Sequence, residues 1–355
     1  MTNRKIRAGV IGFGLGGKIF HAAVLAAVDG VELGGIVQRK GDEAAKAHPG
    51  VPIYRSVEAM LEDKSLELVA VATPNDSHIP LTKQLLSAGR NVVVDKPFAL
   101  ASAEVAEVIQ LARKQKLLLS AYQNRRWDGD FLTVKKLLAS GEIGNLVSFE
   151  SCYDRWRPQP RLNVWRENGG PGGGILYDLG SHLVDQALSI FGLPSHITAH
   201  IRIERPLAVV DDCFEILLQY QDHTATLRGR NLAAIQRPRF LLHGTRGAFL
   251  KWGLDPQEDA LKSGAKFSDK GFGEEPASAW GTLTTDADGN IVTRPVQTLA
   301  GDYRGYYANV RDAILGVEPL AVPAEDAWRT IRLLELARES SQQGRTIECD
   351  WTTAP

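Results

Sequence analysis

The sequence predicts an α/β chain: a Rossmann-type, doubly wound parallel sheet at the N-terminus, then an α+β domain built on a large, mostly antiparallel sheet. Three observations predict it. Up to about residue 122, short aliphatic runs alternate with segments of helical periodicity, the pattern of repeated βαβ units. From Asn124 onward the pattern changes to strand-like segments with partial alternation and hairpin signals such as Gln221-Asp222-His223. With 355 residues, 44% of them hydrophobic, the chain exceeds one core's comfortable size. The expected division is 1–122, dinucleotide-binding, and 123–355, substrate-binding and oligomerising.

In the first domain the candidate strands are 5–11, 31–37, 66–72, 91–94 and 117–121, each bounded by Gly, Pro, Asn or Asp. Between them, 18–28, 79–88 and 103–115 carry helix periodicity, and Gly89 is placed as a left-handed C-cap. The second domain opens with a helix over 130–140 ending at Gly141, followed by strands 146–153, 197–203, 212–220, 224–230 and 239–243. A sheet of this size needs a cover, and the helix 176–191, stopped by Gly192, supplies a candidate. A late helix spans 324–340, whereas 262–276 and 284–290 read as solvated loops.

Charge excludes little. Lys plus Arg total 41 against 42 Asp plus Glu, so no net field favours nucleic acid or a membrane surface. The cysteines, Cys152, Cys213 and Cys349, are scattered and show no metal or disulfide spacing. With no signal-like apolar core near Met1 and no long apolar span, a cytoplasmic location is the expectation.

Gly12-Phe13-Gly14-Leu15-Gly16-Gly17 follows the first strand and opens the first helix, the context in which G-x-G-x-x-G binds a dinucleotide. Gly12 permits the tight turn, Gly14 lets a pyrophosphate approach the backbone, and Gly17 allows close helix-sheet packing. The helix N-terminus then offers N–H groups to the anion. An NAD-preferring site usually carries an acidic residue at the end of the second strand. Here Gln38-Arg39-Lys40 stands there, and the Arg39 guanidinium suits a 2′-phosphate, so NADP is expected, with NAD possible. His21, His78 and His243 form no ligand grouping, and no metal is expected.

Thr73-Pro74-Asn75-Asp76-Ser77-His78, Asp95-Lys96-Pro97, and Asp178-Leu179-Gly180-Ser181-His182 after Gly172-Gly173-Gly174 together resemble the Gfo/Idh/MocA oxidoreductases (glucose–fructose oxidoreductase/inositol dehydrogenase family). The likeness runs almost end to end, with Asp95 standing where that family usually has Glu. Gly17-Lys18-Ile19-Phe20-His21, Asn124-Arg125-Arg126-Trp127-Asp128 and the block from Tyr177 to His182 bring it closest to the subgroup that includes NADP-dependent scyllo-inositol dehydrogenases. The resemblance implies that Gly12, Phe13, Gly14, Leu15, Gly17, Arg39, Thr73, Pro74, Asn75, His78, Asp95, Lys96 and Pro97 line the cofactor. It also implies that Trp165 and Arg166 lie near the nicotinamide, that Lys96-Pro97 is a cis peptide, and that protomers pair through the C-terminal sheet as a homodimer.

Hydride exchange at a secondary carbon needs a positive group beside an oxygen that becomes alkoxide-like, and a group that moves the hydroxyl proton. Lys96 and His182 are assigned those tasks. Asp178, one helical turn before His182, either binds a substrate hydroxyl or orients the imidazole. Asp185 shares that face and is read as a packing or hydrogen-bonding residue. Asn124, Arg126, Tyr153 and Arg155 are expected to contact the polyol or sugar substrate. Two further readings stand beside this one: a reductase of a dicarbonyl sugar such as 1,5-anhydrofructose, and a non-catalytic regulator that senses sugar or cofactor.

Overall fold

The computed structural model describes residues 4–161, 163–287, 289–352 and 354–355. The chain divides into two compact units. The first comprises 1–124, 303–329 and 354–355; the second comprises 125–302 and 330–353. The segment from Tyr303 to Arg329 thus returns to the first unit, which no single boundary at 122/123 represents.

The first unit holds a parallel sheet of β1 (Ile6–Ile11), β2 (Val31–Val37), β3 (Ile53–Tyr54), β4 (Leu68–Val71), β5 (Asn91–Val94) and β6 (Leu119–Ala121). Its order is β3-β2-β1-β4-β5-β6. The strands are short aliphatic runs, and β4 is buried at every position, as strands covered by helices on both faces must be. The chain order reverses between β1 and β4, and the crevice beyond their C-terminal ends is where open α/β sheets bind ligands. Gly12 and Thr73 each stand just beyond one of these strand ends. The helices His78–Ser87 and Ser102–Gln115 pack on each other, and Gly89 takes the expected left-handed conformation at φ +77°.

A helix absent from the sequence reading, Arg304–Ile314, packs on the first helix. Tyr303, Tyr306, Tyr307 and Val310 are all buried at helical spacing. Gly305 inside the segment lowers its helix propensity, and the sequence reading leaves it unassigned.

The second unit is organised on a nine-stranded sheet. Its strands are β7 (Leu146–Asp154), β8 (His196–Arg202), β9 (Cys213–Gln219), β10 (Thr224–Arg230), β11 (Phe240–Gly244), β12 (Gly247–Lys251), β13 (Gly281–Ala287), β14 (Asn290–Val296) and β15 (Ile347–Glu348). The order is β14-β13-β12-β11-β7-β10-β9-β8-β15, antiparallel throughout except where β10 runs parallel to β7. Phe149, Phe214, Phe240 and Phe249 are fully buried and form its aromatic core. The continuous helical stretch Leu176–Gly180 and Ser181–Phe191 covers β9 and β10, as the sheet required.

The expected loop at 284–290 is instead the β13-β14 hairpin, a correction with a clear cause. Along β14 nearly every residue is exposed, so the strand carries no alternation for a periodicity argument to detect. Pairing of Gly281–Ala287 with Asn290–Val296 defines it.

Candidate active site

In the first unit, the glycines of the 12–17 loop serve three different ends. Gly12 adopts φ +98°, and a Cβ there would stand 2.6 Å from the Ala72 carbonyl oxygen. At Gly17 a Cβ would sit 2.0 Å from the Gly12 carbonyl oxygen, so only glycine lets the helix approach the turn this closely. Gly14 faces open space: among the described residues, none beyond its chain neighbours comes within 4 Å of a Cβ built there. The helix that follows starts with a wide π-helical segment, Gly16–Ala22, and Leu15 contributes no capping side chain. Phe13 meets His48 edge to face at 5.9 Å, and Leu15 is exposed.

Beyond β2, Arg55 donates to the carbonyls of Gln38 at 3.0 Å and Gly41 at 2.8 Å, while the Gln38 side-chain oxygen accepts from Ala44 N at 2.9 Å. The turn is therefore held from within, and Arg39 and Lys40 are presented to solvent at its tip. After β4, His78 bridges two loops, with Nε2 2.8 Å from the Thr73 carbonyl and Nδ1 3.0 Å from the Pro97 carbonyl. Thr73 and Ser77 are joined hydroxyl to hydroxyl at 2.7 Å. Asn75 is buried, and its side-chain NH₂ has no hydrogen-bond partner among the described residues. After β5, Asp95 Oδ1 accepts the Lys96 N–H at 2.8 Å, and Lys96-Pro97 is a cis peptide.

These features fit a bound dinucleotide. The space over Gly14 admits a ligand against bare backbone, and the buried Asn75 amide needs an acceptor that none of the described residues provides.

In the second unit, Asp178 lies on Leu176–Gly180 and the buried His182 follows one turn later on Ser181–Phe191. Arg155 Nη1 and Arg166 Nε each stand 3.5 Å from an Asp178 oxygen. The Arg166 guanidinium also stacks over Trp165 at 4.6 Å. Tyr153 is buried, with Arg125 and Arg155 each 5.2 Å and Arg239 5.7 Å from its ring centroid, and burial pushes its hydroxyl pKa up. Arg126 is engaged by Asp185 through two hydrogen bonds of 2.8 and 2.6 Å. Asp185 thus has the supporting role expected of it, and Arg126 is braced by it. Asn124 closes the first unit's N-terminal stretch, buried at the start of the turn Asn124–Trp127.

Sequence reasoning missed Arg157 and Arg205, which line the same cleft as Arg155, Arg166 and Asp178. Arg205 is bound to Asp212 at 2.9 Å and Glu167 at 3.1 Å. Burial and the neighbouring Arg155 and Arg161 lower the Arg157 pKa. The run Tyr153 to Arg161, with every fourth to second residue an arginine, was the available signal. A larger cleft of about 410 Å³, bounded by Gly170, Ile201, Val209 and Arg338, contains none of the proposed catalytic groups. Among the described residues, no group of three or more His, Cys, Asp or Glu side chains is arranged to hold a metal ion, and no helix is long and apolar enough to cross a membrane.

Two family models match this chain. Residues 6–123 match the oxidoreductase family's NAD-binding Rossmann fold, and 135–349 match its C-terminal alpha/beta domain. The chain belongs to the Gfo/Idh/MocA oxidoreductase family. This Gfo/Idh/MocA protein is 41% identical to the uncharacterized oxidoreductase YdgJ of Escherichia coli, over 96% of this chain and 98% of YdgJ. It is 37% identical to the scyllo-inositol 2-dehydrogenase (NADP(+)) IolW of Bacillus subtilis, over 96% of this chain and 95% of IolW. Among solved structures, an oxidoreductase from Bacillus cereus superposes with a TM-score of 0.89 at 30% identity, covering 98% of this chain and 99% of that one. The Gfo/Idh/MocA chain is accordingly an oxidoreductase with an NAD-binding Rossmann domain, and its second unit carries the family's α/β domain.

Proposed function

We propose that this oxidoreductase uses NADP to exchange a hydride with a secondary alcohol or ketone of a cyclic polyol or sugar, in the manner of a scyllo-inositol dehydrogenase. The observation that carries the reading is Lys96, gripped at its backbone by Asp95 immediately after β5, in a chain whose family binds a nicotinamide cofactor. The 37% identity to IolW supports the cyclic-polyol class, and the exposed Arg39-Lys40 tip supports NADP.

When bound, the nicotinamide gives or takes the hydride at its ring. The chain's own residues do the rest. The 12–17 backbone and the uncapped helix start hold the pyrophosphate, Asn75 donates its amide, and Arg39 pairs with the 2′-phosphate. Lys96 places its ammonium beside the oxygen that becomes negative, and His182 carries the hydroxyl proton. Asp178, its charge shared between Arg155 and Arg166, accepts from a substrate hydroxyl; Tyr153 and Asn124 add polar contacts.

The test is the absorbance change of purified protein with NADP and NAD across inositols, aldoses and their keto forms. Turnover of a cyclic polyol with a lower KM for NADP is expected, and Lys96→Ala should lower kcat by about 10²- to 10⁴-fold with cofactor binding largely intact. Silence across the panel overturns the enzyme reading, a clear NAD preference overturns the cofactor choice, and preferred reduction of 1,5-anhydrofructose moves the substrate to dicarbonyl sugars.

A further inference from the structure

Behind Lys96 the first unit contains a buried chain of polar groups that the proposed reaction leaves unused. His21, on Gly16–Ala22, is fully buried. Its Nδ1 lies 2.6 Å from the Tyr307 hydroxyl, and its Nε2 lies 3.6 Å from Asp95 Oδ2. The other Asp95 oxygen holds the Lys96 N–H. The Tyr122 ring packs on the imidazole at 4.3 Å and meets Tyr306 at 4.7 Å, so water has little access. A Cβ on Gly16 would stand 2.8 Å from Asp95 Oδ2, so a larger residue there would push the carboxylate from its place beside the helix start.

The chemistry fixes the direction of the chain. At 3.6 Å the contact with Asp95 is an electrostatic one, longer than a hydrogen bond, and a carboxylate favours the imidazole edge that carries the proton, so His21 serves Asp95 with the proton on Nε2. Nδ1 is then the acceptor, and Tyr307 is the donor. The groups facing Asp95 are His21 from the first helix, Lys96 on its own loop, His78 after β4, Tyr122 after β6 and Tyr307 on Arg304–Ile314. Burial acts to raise the Asp95 pKa, but the imidazole of His21 beside it, with the charges of Lys96 and His78, outweighs it and leaves the group below its ordinary value.

We propose that His21, oriented by Tyr307, is a positioning residue for Lys96: it fixes the Asp95 carboxylate that grips the Lys96 backbone. The proposal rests on the reading of Lys96 as the group beside the reacting oxygen. Without His21, Asp95 takes up a proton at higher pH, and the protonated carboxyl is a weaker acceptor for the Lys96 N–H. The acid limb of ketone reduction then moves to higher pH.

Full-length His21→Leu, His21→Gln and Tyr307→Phe test this. Glutamine places an amide donor near the Nε2 position. We expect His21→Leu to lower kcat by about 30- to 100-fold and shift the acid limb up, with the NADPH Kd within about threefold of the parent. His21→Gln should recover most of kcat, and Tyr307→Phe should give a smaller loss in the same direction. Nitrogen-15 NMR of histidine-labelled protein should show the signal that vanishes in His21→Gln as an Nε2–H tautomer. An Nδ1–H tautomer, a folded His21→Leu protein with parental kcat and pH profile, or no recovery in His21→Gln overturns the proposal. Should His21→Leu fail to fold, Tyr307→Phe decides, because parental kcat and pH profile there overturn it equally. A fully active Lys96→Ala protein overturns the Lys96 reading itself, whereas an inactive one beside a parental His21→Leu overturns only the role of His21.

Discussion

Two glycine-rich loops of this oxidoreductase look alike in sequence and do opposite things. Gly12 to Gly17 and Gly169 to Gly174 each run into a helix that begins with a π-helical segment, Gly16–Ala22 in one case and Leu176–Gly180 in the other. The second loop answers its helix start from within the protein. Asp211 accepts the Leu176 N–H at 2.8 Å through Oδ2, and its backbone carbonyl accepts the Ile175 N–H at 3.0 Å. Gly174, at φ +94°, leaves room for that carboxylate, since a Cβ would lie 2.4 Å from Asp211 Oδ1. Arg338 binds the same carboxylate at 3.0 Å. Among the described residues, no side chain caps the start of the first helix. Asp95 stands beside Gly16, but its oxygens face Lys96 and His21. A helix start filled by its own carboxylate positions Asp178 and His182; one left open over Gly14 suits an anion from outside.

The strongest test of this contrast is Gly17→Ala. The new methyl would meet a backbone oxygen that has no side-chain freedom to yield, so chemical denaturation should show a loss of about 3 kcal/mol or more, and NADPH fluorescence titration should show binding abolished. Parental stability would mean that the helix does not need to sit this close. Next in size is Asp211→Ala, which strips the buried Leu176 N–H of its acceptor and takes the carboxylate away from Arg338. A loss of about 2–3 kcal/mol and a lower kcat are expected, with NADPH Kd unchanged; weakened cofactor binding in a folded protein would break the contrast between the loops. The smallest effect on the fold, and the most selective, is expected of Gly14→Ala. Its methyl enters open space, so the melting temperature should hold within about 2 °C while NADPH binding weakens by about tenfold. Unchanged affinity would show that the space over Gly14 is not used.

The elements that the sequence revealed are those whose signals are local. The buried runs of β1, β2, β4 and β5 needed no partner to be read as strands, and Gly89, Gly141 and Gly192 marked helix ends through conformations that only the backbone imposes. Elements defined by pairing escaped: β14 is exposed along nearly its whole length, and β15 is two residues added to β8. The candidate site divides in the same way. Lys96, Asp178 and His182 stood out by motif, as did Arg39 at the end of β2. His21 was visible only as one letter of a motif, because its partners, Asp95 and Tyr307, lie 74 and 286 positions away.

By itself, then, the sequence determined the fold class, the dinucleotide loop and the residues able to handle charge and protons, since periodicity, glycine conformation and titratable chemistry reside in single residues and their near neighbours. Tertiary structure alone decided which carboxylate fills which helix start: Asp211 is brought to Leu176 and Asp95 is turned towards His21 by packing between segments far apart in the chain. The opening glycine loop therefore differs from its counterpart at 169–174 through its surroundings and not through its own letters.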